Sequence, residues 1–222
     1  MILDKYPQSP SPNISSRGGH HAEVITFHYT AGAHARGDVS WLCNPASGRS
    51  AHFDVGRDGT VWQLAPLGKK AWHAGQSEMV VPSLGETLSD ANRFTIGIEF
   101  SNHGYLEHGD DGRFYYYIGG ARYLYSKDAH PIKAALRFDT GHTVSGYWEP
   151  FPGVQIEAAI ELVGDIREAT DVDMPIVGHE DIAMPLGKKT DPGPLFPWEA
   201  FDRKGAPRRA SSILMEPRRV ET

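Results

Sequence analysis

A short loop near the end of the chain carries three side chains that could do chemistry together. Residues 178–194 contain His179, Lys189 and Asp191 among turn-forming glycines and prolines. Imidazole and carboxylate groups are zinc ligands, and a lysine adds a positive charge beside them. Because Pro192 biases Asp191 toward extended backbone, we expect the Lys189 and Asp191 side chains to face one spot. This pattern is typical of half of a zinc hydrolase site.

A third ligand must come from elsewhere, because a catalytic zinc usually binds three protein ligands and one water. His28 is the best candidate. It lies in a β-branched and aromatic run, residues 24–30, which predicts a buried strand. A polar side chain in such a strand needs a partner. We therefore expect His28, His179 and Asp191 to bind one zinc ion.

Five sequence blocks in register extend this pattern along most of the chain. They are residues 27–32 (FHYTAG), 50–55 with 57–61 (SAHFDV, RDGTV), 71–75 (AWHAG), 96–100 (IGIEF) and 179–194. One short motif alone is weak, but five in one order are specific. On these blocks the chain resembles the zinc-dependent N-acetylmuramoyl-L-alanine amidases of type 2, which are related in fold to the peptidoglycan recognition proteins.

The resemblance implies a reaction and a set of roles. The bond cut would be the amide between the lactyl group of N-acetylmuramic acid and L-alanine, in peptidoglycan or a muropeptide. Zinc would lower the pKa of a bound water and polarise the carbonyl. Glu99 then fits the general base, and Lys189 the cation that faces the oxyanion. Without the resemblance, Glu99 could equally pair with a surface arginine at a strand edge.

The remaining candidate site residues come from the same blocks. His52, Trp72 and His73 are expected to line the cleft, where Trp72 would form an aromatic wall for the saccharide or the peptide stem. The other histidines lack such a context and are expected at the surface: His20, His21, His34, His103, His108, His130 and His142.

The fold expectation is a single α/β domain with a central mixed sheet flanked by helices. Strands and helices alternate without an internal repeat, which favours this class, and the resemblance implies the same. Asp58-Gly59 predicts a hairpin turn between residues 50–55 and 60–64. Apolar residues at helical spacing, among them Ile156 and Ile160, predict an amphipathic helix over residues 154–170.

The chain divides into three parts by composition. Residues 1–20 predict an irregular N-terminal arm, residues 21–202 the catalytic domain, and residues 203–222 a basic C-terminal tail. The tail could bind an anionic lipid or wall polymer, or be simply solvated, and we favour the solvated tail. Residues 103–150 are rich in aromatic side chains, for which ordinary packing is favoured over a sugar-binding wall.

Composition limits the function classes. With 40% hydrophobic and 23% charged residues in 222, the chain has ordinary globular usage. A net charge of −6 argues against nucleic acid as the main partner. Cys43 is the only cysteine, so no intrachain disulfide can form. We find no secretory signal and no membrane span, so a cytoplasmic product is expected, reaching the wall after release if it is a phage lysis enzyme.

Several functions remain open at this point. The leading one is a wall-degrading amidase of the endolysin kind, and a cytosolic amidase that recycles anhydro-muropeptides is the alternative. A non-catalytic peptidoglycan-binding module would lack a zinc ligand, and none is missing. A non-haem iron oxygenase using His52 and Asp54 would leave the His28 and Asp191 blocks unexplained.

Overall fold

The structure is a computed structural model that describes residues 1–32, 34–126, 130–206 and 209–214. The strands are β1 (Ile14–Ser15), β2 (Val24–Tyr29), β3 (Phe53–Val55), β4 (Val61–Gln63), β5 (Lys70–Ala71), β6 (Glu78–Val81), β7 (Glu86–Ser89), β8 (Thr95–Phe100), β9 (Tyr105–His108), β10 (Phe114–Ile118), β11 (Ala121–Leu124), β12 (Ile132–Phe138), β13 (Thr143–Trp148), β14 (Ile176–Gly178) and β15 (Ala210–Leu214). The α-helices are α1 (Ala35–Leu42), α2 (Gly153–Thr170) and α3 (His179–Ile182), and short 3₁₀ turns cover Pro45–Ser47, Ala91–Arg93 and Trp198–Ala200.

A five-stranded mixed sheet forms the centre of the molecule, with the strand order β14-β2-β8-β3-β4. The strands β14, β2, β8 and β3 run parallel, and β4 returns antiparallel to β3. Both faces of a parallel sheet are covered, so its strands are mostly apolar, as β2 (VITFHY) and β8 (TIGIEF) are apart from a few polar side chains. The predicted fold class is confirmed, as is the strand predicted at residues 24–30, which ends at Tyr29 in the structure.

The helix α2 covers one face of this sheet. Its buried positions are Gln155, Ile156, Ala159, Leu162, Val163 and Ile166. The predicted helix is thus confirmed, with one correction: Ile160 is 43% exposed and lies outside the apolar stripe. The stripe follows Ile156, Ala159 and Val163, because residues three and four apart share one helix face.

The predicted hairpin is present and leads into the sheet. Strands β3 and β4 pair antiparallel, and the Gly56 amide donates to the Thr60 carbonyl at 2.8 Å. Gly59 has a φ of +83°, which explains the Asp-Gly pair at this turn.

A second sheet of six strands, in the order β11-β10-β9-β13-β12-β15, contains most of the aromatic region at residues 103–150. All of its pairings are antiparallel. The aromatic side chains divide between packing and exposure: Trp148 and Tyr125 are buried, whereas Tyr105, Tyr117 and Tyr123 are about half exposed. Packing thus accounts for only some of them.

Segments near both ends of the described chain pair with strands elsewhere in the molecule. In the arm of residues 1–20, β1 pairs with β5, and Ser11, Asn13 and Arg17 are buried. Part of the segment predicted as a basic tail is also folded, since β15 pairs with β12. Both β1 and β15 thus pair with strands distant in the sequence. Residues 207–208 and 215–222 of the predicted tail, including Arg208, Arg218 and Arg219, lie outside the described residues.

The histidines predicted at the surface are exposed, with one exception. His20, His21, His34, His108, His130 and His142 are exposed. His103 is buried, which corrects the prediction, and its Nδ1 lies 3.0 Å from a carboxylate oxygen of buried Glu149. The carboxylate compensates for the loss of water around the imidazole. Across the described ranges, we find no helix with the length and hydropathy needed to cross a membrane.

Candidate active site

Three side chains from distant parts of the chain bring one ligand atom each to a single point. His28 Nδ1 lies 3.0 Å from both His179 Nδ1 and Asp191 Oδ2, and the last two atoms are 2.9 Å apart. All three residues are buried, and within the described ranges they form the one group of three such side chains able to hold a metal ion. Ligands of one tetrahedral zinc lie about 3.3 Å apart for bonds of about 2.0–2.2 Å. The donor set and its spacing therefore fit zinc.

The parallel sheet explains why these residues meet. His28 is near the carboxyl end of β2, and His179 follows directly after the neighbouring strand β14. The loop that carries Asp191 is fixed by Glu180, whose amide donates to the Asp191 carbonyl at 2.9 Å. The Glu180 carboxylate also accepts from the Gly193 amide at 3.0 Å. The loop is thus held to α3 at two points.

The protonation states of these side chains suit metal binding. Burial and, to a smaller extent, the neighbouring His179 together lower the pKa of His28 to about 4, so the imidazole is neutral at pH 7. Burial alone would raise the pKa of Asp191, but the two imidazoles outweigh it and hold the pKa below its ordinary range. A neutral imidazole and an ionised carboxylate are the forms that bind a metal.

Glu99 stands beside this group in the same sheet. Its register partner on β2 is His28, so both side chains lie on one face. Burial raises the pKa of Glu99 well above its ordinary value, and the carboxylates of Asp191 and Asp54 add to the rise. Among the described residues, Glu99 Oε2 finds no hydrogen-bond partner. A carboxylate with a raised pKa and a free oxygen is suited to accept a proton.

A cavity of about 380 Å³ gives access to these atoms. Its wall includes His28, Glu99, His179 and Asp191, together with three other predicted site residues, Trp72, His73 and Lys189. Lys189 and Asp191 line the same space, as expected from their spacing. Trp72 is 37% exposed and forms an aromatic part of the wall.

His52 is not among the residues that line this cavity, in contrast to the expectation. It is fully buried: its Nδ1 accepts from the Gly97 amide at 3.0 Å, and its Nε2 lies 2.9 Å from the Lys69 carbonyl. Burial, together with the charge of Arg17, lowers the pKa of His52 to about 3. His52 is absent from the metal-binding group as well, so the iron oxygenase interpretation finds no support.

Sequence reasoning did not predict that two buried carboxylates, Asp54 and Asp38, lie near Glu99. Asp54 on β3 is the register partner of Glu99, and Asp38 on α1 accepts from Thr30 Oγ1 at 3.0 Å. Burial raises the pKa of Asp54 well above its ordinary value, and the charge of Asp38 adds to this. The signal for Asp54 was available, since Phe53-Asp54-Val55 places a carboxylate inside an apolar strand just as the Glu99 strand does.

Two curated amidases are similar in sequence to this chain. AmiD, an N-acetylmuramoyl-L-alanine amidase of Escherichia coli (strain K12), is 30% identical over 146 residues, covering 65% of this chain and 38% of AmiD. The 1,6-anhydro-N-acetylmuramyl-L-alanine amidase AmpD of the same organism is 30% identical over 152 residues, covering 68% of this chain and 56% of AmpD. The chain therefore spans less than two thirds of the length of either relative.

A solved structure shares the fold. It is the complex of E. coli AmiD with the substrate anhydro-N-acetylmuramic acid-L-Ala-D-gamma-Glu-L-Lys, and it matches with a TM-score of 0.53 and 27% identity. The match covers 89% of this chain and 60% of that one. The family model Amidase_2, described as N-acetylmuramoyl-L-alanine amidase, matches residues 18–194, which include all three candidate metal ligands. This chain belongs to the N-acetylmuramoyl-L-alanine amidase family.

Proposed function

We propose that this protein hydrolyses the amide bond between N-acetylmuramic acid and L-alanine in peptidoglycan or a muropeptide. The observation that carries the proposal is the convergence of His28, His179 and Asp191 within 3.0 Å of one another, in the wall of a cavity that also holds Glu99 and Lys189. A binding module that had lost catalysis would not need this complete set.

The residues present divide the work of amide hydrolysis. His28, His179 and Asp191 would hold one zinc ion, which when bound polarises the carbonyl and acidifies water. Glu99 accepts the proton of the attacking water and delivers it to the leaving nitrogen. Lys189 lines the same cavity, where its ammonium group would stabilise the negative charge that develops on the carbonyl oxygen.

One part of the cavity wall suits a substrate that contains a sugar. Trp72 offers a partly exposed aromatic ring for stacking in the same cavity that Glu99 and Lys189 line. We propose lysis of the cell wall as the role, with the protein acting on the wall after release from the cell in which it is made. The half-exposed tyrosines of the six-stranded sheet support a polymeric substrate.

A second candidate role is the recycling of muropeptides. It is favoured by the likeness to AmpD, whose name specifies a 1,6-anhydro-N-acetylmuramyl substrate. Both roles use the same bond and the same residues, so they differ in the size of the substrate. Rates on intact sacculi and on a soluble anhydro-muropeptide would distinguish them.

The test of the reaction is an analysis of the products. Purified sacculi are digested with the protein, and new N-terminal alanine and new reducing ends are measured. We expect N-terminal alanine to appear without reducing ends, and no release by His179→Ala. New reducing ends without N-terminal alanine would identify a glycosidase and overturn the proposal.

A further inference from the structure

One dipeptide, His73-Ala74, contacts both proposed histidine ligands, His28 and His179, at the ring nitrogen that does not face the metal position. His28 Nε2 lies 2.9 Å from His73 Nδ1, and His179 Nε2 lies 3.1 Å from the carbonyl oxygen of Ala74. His73 and Ala74 thus contact the outer nitrogen of each imidazole, on the side away from Asp191. We propose that this dipeptide, clamped by Asn92, is a brace that sets the tautomer and the orientation of both metal-binding imidazoles. The inference rests on the proposed zinc function.

The contact at His179 defines its tautomer. A carbonyl oxygen can only accept, so His179 Nε2 must carry the proton that is donated to Ala74. A neutral imidazole has a single N–H, which leaves a lone pair on His179 Nδ1. That lone pair faces the point where Asp191 Oδ2 lies 2.9 Å away.

A chain of three hydrogen bonds defines the tautomer of His28. Thr95 Oγ1 donates to the Ala91 carbonyl at 2.8 Å, so it must accept from His73 Nε2, which is 3.1 Å away. His73 then carries its proton on Nε2 and has a lone pair on Nδ1. His28 Nε2 must donate to that lone pair, which leaves His28 Nδ1 free to bind a metal. The direction of the whole chain follows from one carbonyl group.

Asn92 fixes the backbone of the brace. Its Oδ1 accepts from the amide of His73 at 3.0 Å and from the amide of Ala74 at 2.8 Å. Asn92 is held in turn by Arg17, whose guanidinium donates to the Asn92 carbonyl at 3.0 Å. The His73 ring also packs on Gly97, where a β-carbon would lie 2.5 Å from the ring. The His73 side chain therefore has little room for another orientation.

This arrangement assigns His73 a role different from the one its sequence block implied. Both ring nitrogens are engaged with protein atoms, Nδ1 with His28 and Nε2 with Thr95, so neither is available to the substrate. His73 is therefore a positioning residue that acts through His28. Partners behind a ligating imidazole typically change metal affinity by about 10- to 100-fold when they are removed.

The first test compares two substitutions of His73 by their zinc affinity, measured by competition with a chromogenic chelator. His73→Leu removes the acceptor, and we expect the Kd for zinc to rise roughly 10- to 100-fold. His73→Asn keeps an acceptor oxygen near the position of Nδ1 and should recover most of the affinity. Thermal unfolding of each zinc-free variant shows whether it is folded. An unchanged Kd in a folded His73→Leu variant would overturn the proposal.

The second test addresses the clamp by the same measurement. Asn92→Leu has a similar volume but cannot accept from the two amides, so zinc affinity should fall. Asn92→Asp keeps an acceptor oxygen at the same position and should restore it. If both variants fold and bind zinc equally well, Asn92 does not hold the brace, and that part of the inference is wrong.

A spectroscopic measurement tests the direction of the chain and covers the case in which a variant fails to fold. Long-range ¹H–¹⁵N spectra of the zinc-loaded wild-type protein should show the proton of His73 on Nε2. A proton on Nδ1 would contradict the brace. Failure of the proposed function is distinguishable, because in that case the wild-type protein itself would bind no zinc or release no N-terminal alanine.

Discussion

The two large sheets differ in how far they bury their polar side chains. In the five-stranded sheet, His28, Glu99 and Asp54 form one row across the neighbouring strands β2, β8 and β3. His28 and Asp54 are fully buried. In the six-stranded sheet, Glu107 and Arg122 pair with each other at 2.8 Å, with 37% and 43% of their side chains exposed. The five-stranded sheet thus buries most of its polar side chains, whereas this ion pair of the six-stranded sheet stays in contact with water.

The type of sheet explains the difference. Both faces of the parallel strands are covered, so a polar side chain there loses its water and its pKa shifts. Burial lowers the pKa of His28, which keeps its imidazole neutral for metal binding. Burial raises the pKa of Glu99, which makes its carboxylate a stronger base for proton transfer. Exposed ion pairs in the antiparallel sheet contribute little, since water screens them. We therefore expect substitutions in the two sheets to differ greatly in effect.

We expect the largest difference in zinc binding and turnover between two histidine substitutions, His179→Ala and His108→Ala. His179→Ala removes a metal ligand, and we expect it to abolish both zinc binding and turnover. It should also remove the stabilisation by zinc, which is about 4 kcal/mol when free zinc exceeds its Kd a thousandfold. His108→Ala, at an exposed position of β9, should change neither property. Metal analysis and thermal unfolding with and without zinc measure both. Full activity of His179→Ala would contradict the assignment.

The next largest effect is expected at Glu99. Glu99→Gln keeps the shape and removes the base, so turnover should fall about 10²- to 10⁴-fold while zinc is retained. Glu107→Gln, its counterpart in the antiparallel sheet, should keep normal turnover. Steady-state kinetics on a soluble muropeptide provide the comparison. Near-normal turnover by a zinc-loaded Glu99→Gln variant would show that another group accepts the proton.

A somewhat smaller effect is expected at Lys189. Lys189→Ala removes the charge that faces the oxyanion, and turnover should fall on the order of 10²- to 10³-fold. KM should change less, because this interaction strengthens mainly in the transition state. Lys133→Ala, which removes a cation packed 6.0 Å from the Tyr147 ring in the antiparallel sheet, serves as the control. A loss confined to KM would make Lys189 a substrate-binding residue instead.

His52 gives a prediction about stability and pH. The folded protein binds a proton at this group only near pH 3, whereas the unfolded chain binds one near 6.5. Stability is therefore lost as the pH falls below about 6.5, and His52 accounts for about 2 kcal/mol of loss between pH 7 and pH 5. His52→Gln cannot be protonated, so its free energy of unfolding should fall less over this interval. Denaturant titrations at both pH values measure it. Equal losses in the two proteins would contradict the burial of a neutral His52.

The smallest effect is expected at Tyr117, which is 48% exposed in β10 and hydrogen-bonded to Glu107. Tyr117→Ala should leave turnover on a soluble muropeptide unchanged within about twofold, since surface substitutions rarely alter stability or a distant site. The rates of the variant and the wild-type protein on intact sacculi are then compared, to test whether this tyrosine matters only for the polymer. A slower rate on sacculi alone would show that the six-stranded sheet contacts the polymer.

The convergence of the three proposed metal ligands was predictable from the sequence because each residue stands out locally. His28 is a polar residue in an apolar strand, and His179 and Asp191 share one turn-rich loop. Their partners were not predictable in the same way. The contact of His28 with His73 joins residues 45 positions apart, and nothing local distinguishes an imidazole that binds a metal from one that orients another imidazole. His52 was misplaced for the same reason.

The six-stranded sheet was missed although one signal was present. Gly119 and Gly120, with φ values of +57° and +84°, form the turn between β10 and β11, and a Gly-Gly pair between aromatic runs is a hairpin signal. The edge strand β15 had no such signal, because it pairs with β12 across a long stretch of sequence. Pairings of this kind depend on the whole fold and not on local residue types.

The central claim is that His28, His179 and Asp191 bind one zinc ion that the reaction needs. The most direct measurement is the zinc content of protein purified without added metal, followed by activity before and after chelation. We predict close to one equivalent of zinc, loss of turnover on chelation and recovery when zinc is restored. Less than about half an equivalent, with full turnover after chelation, would contradict the account.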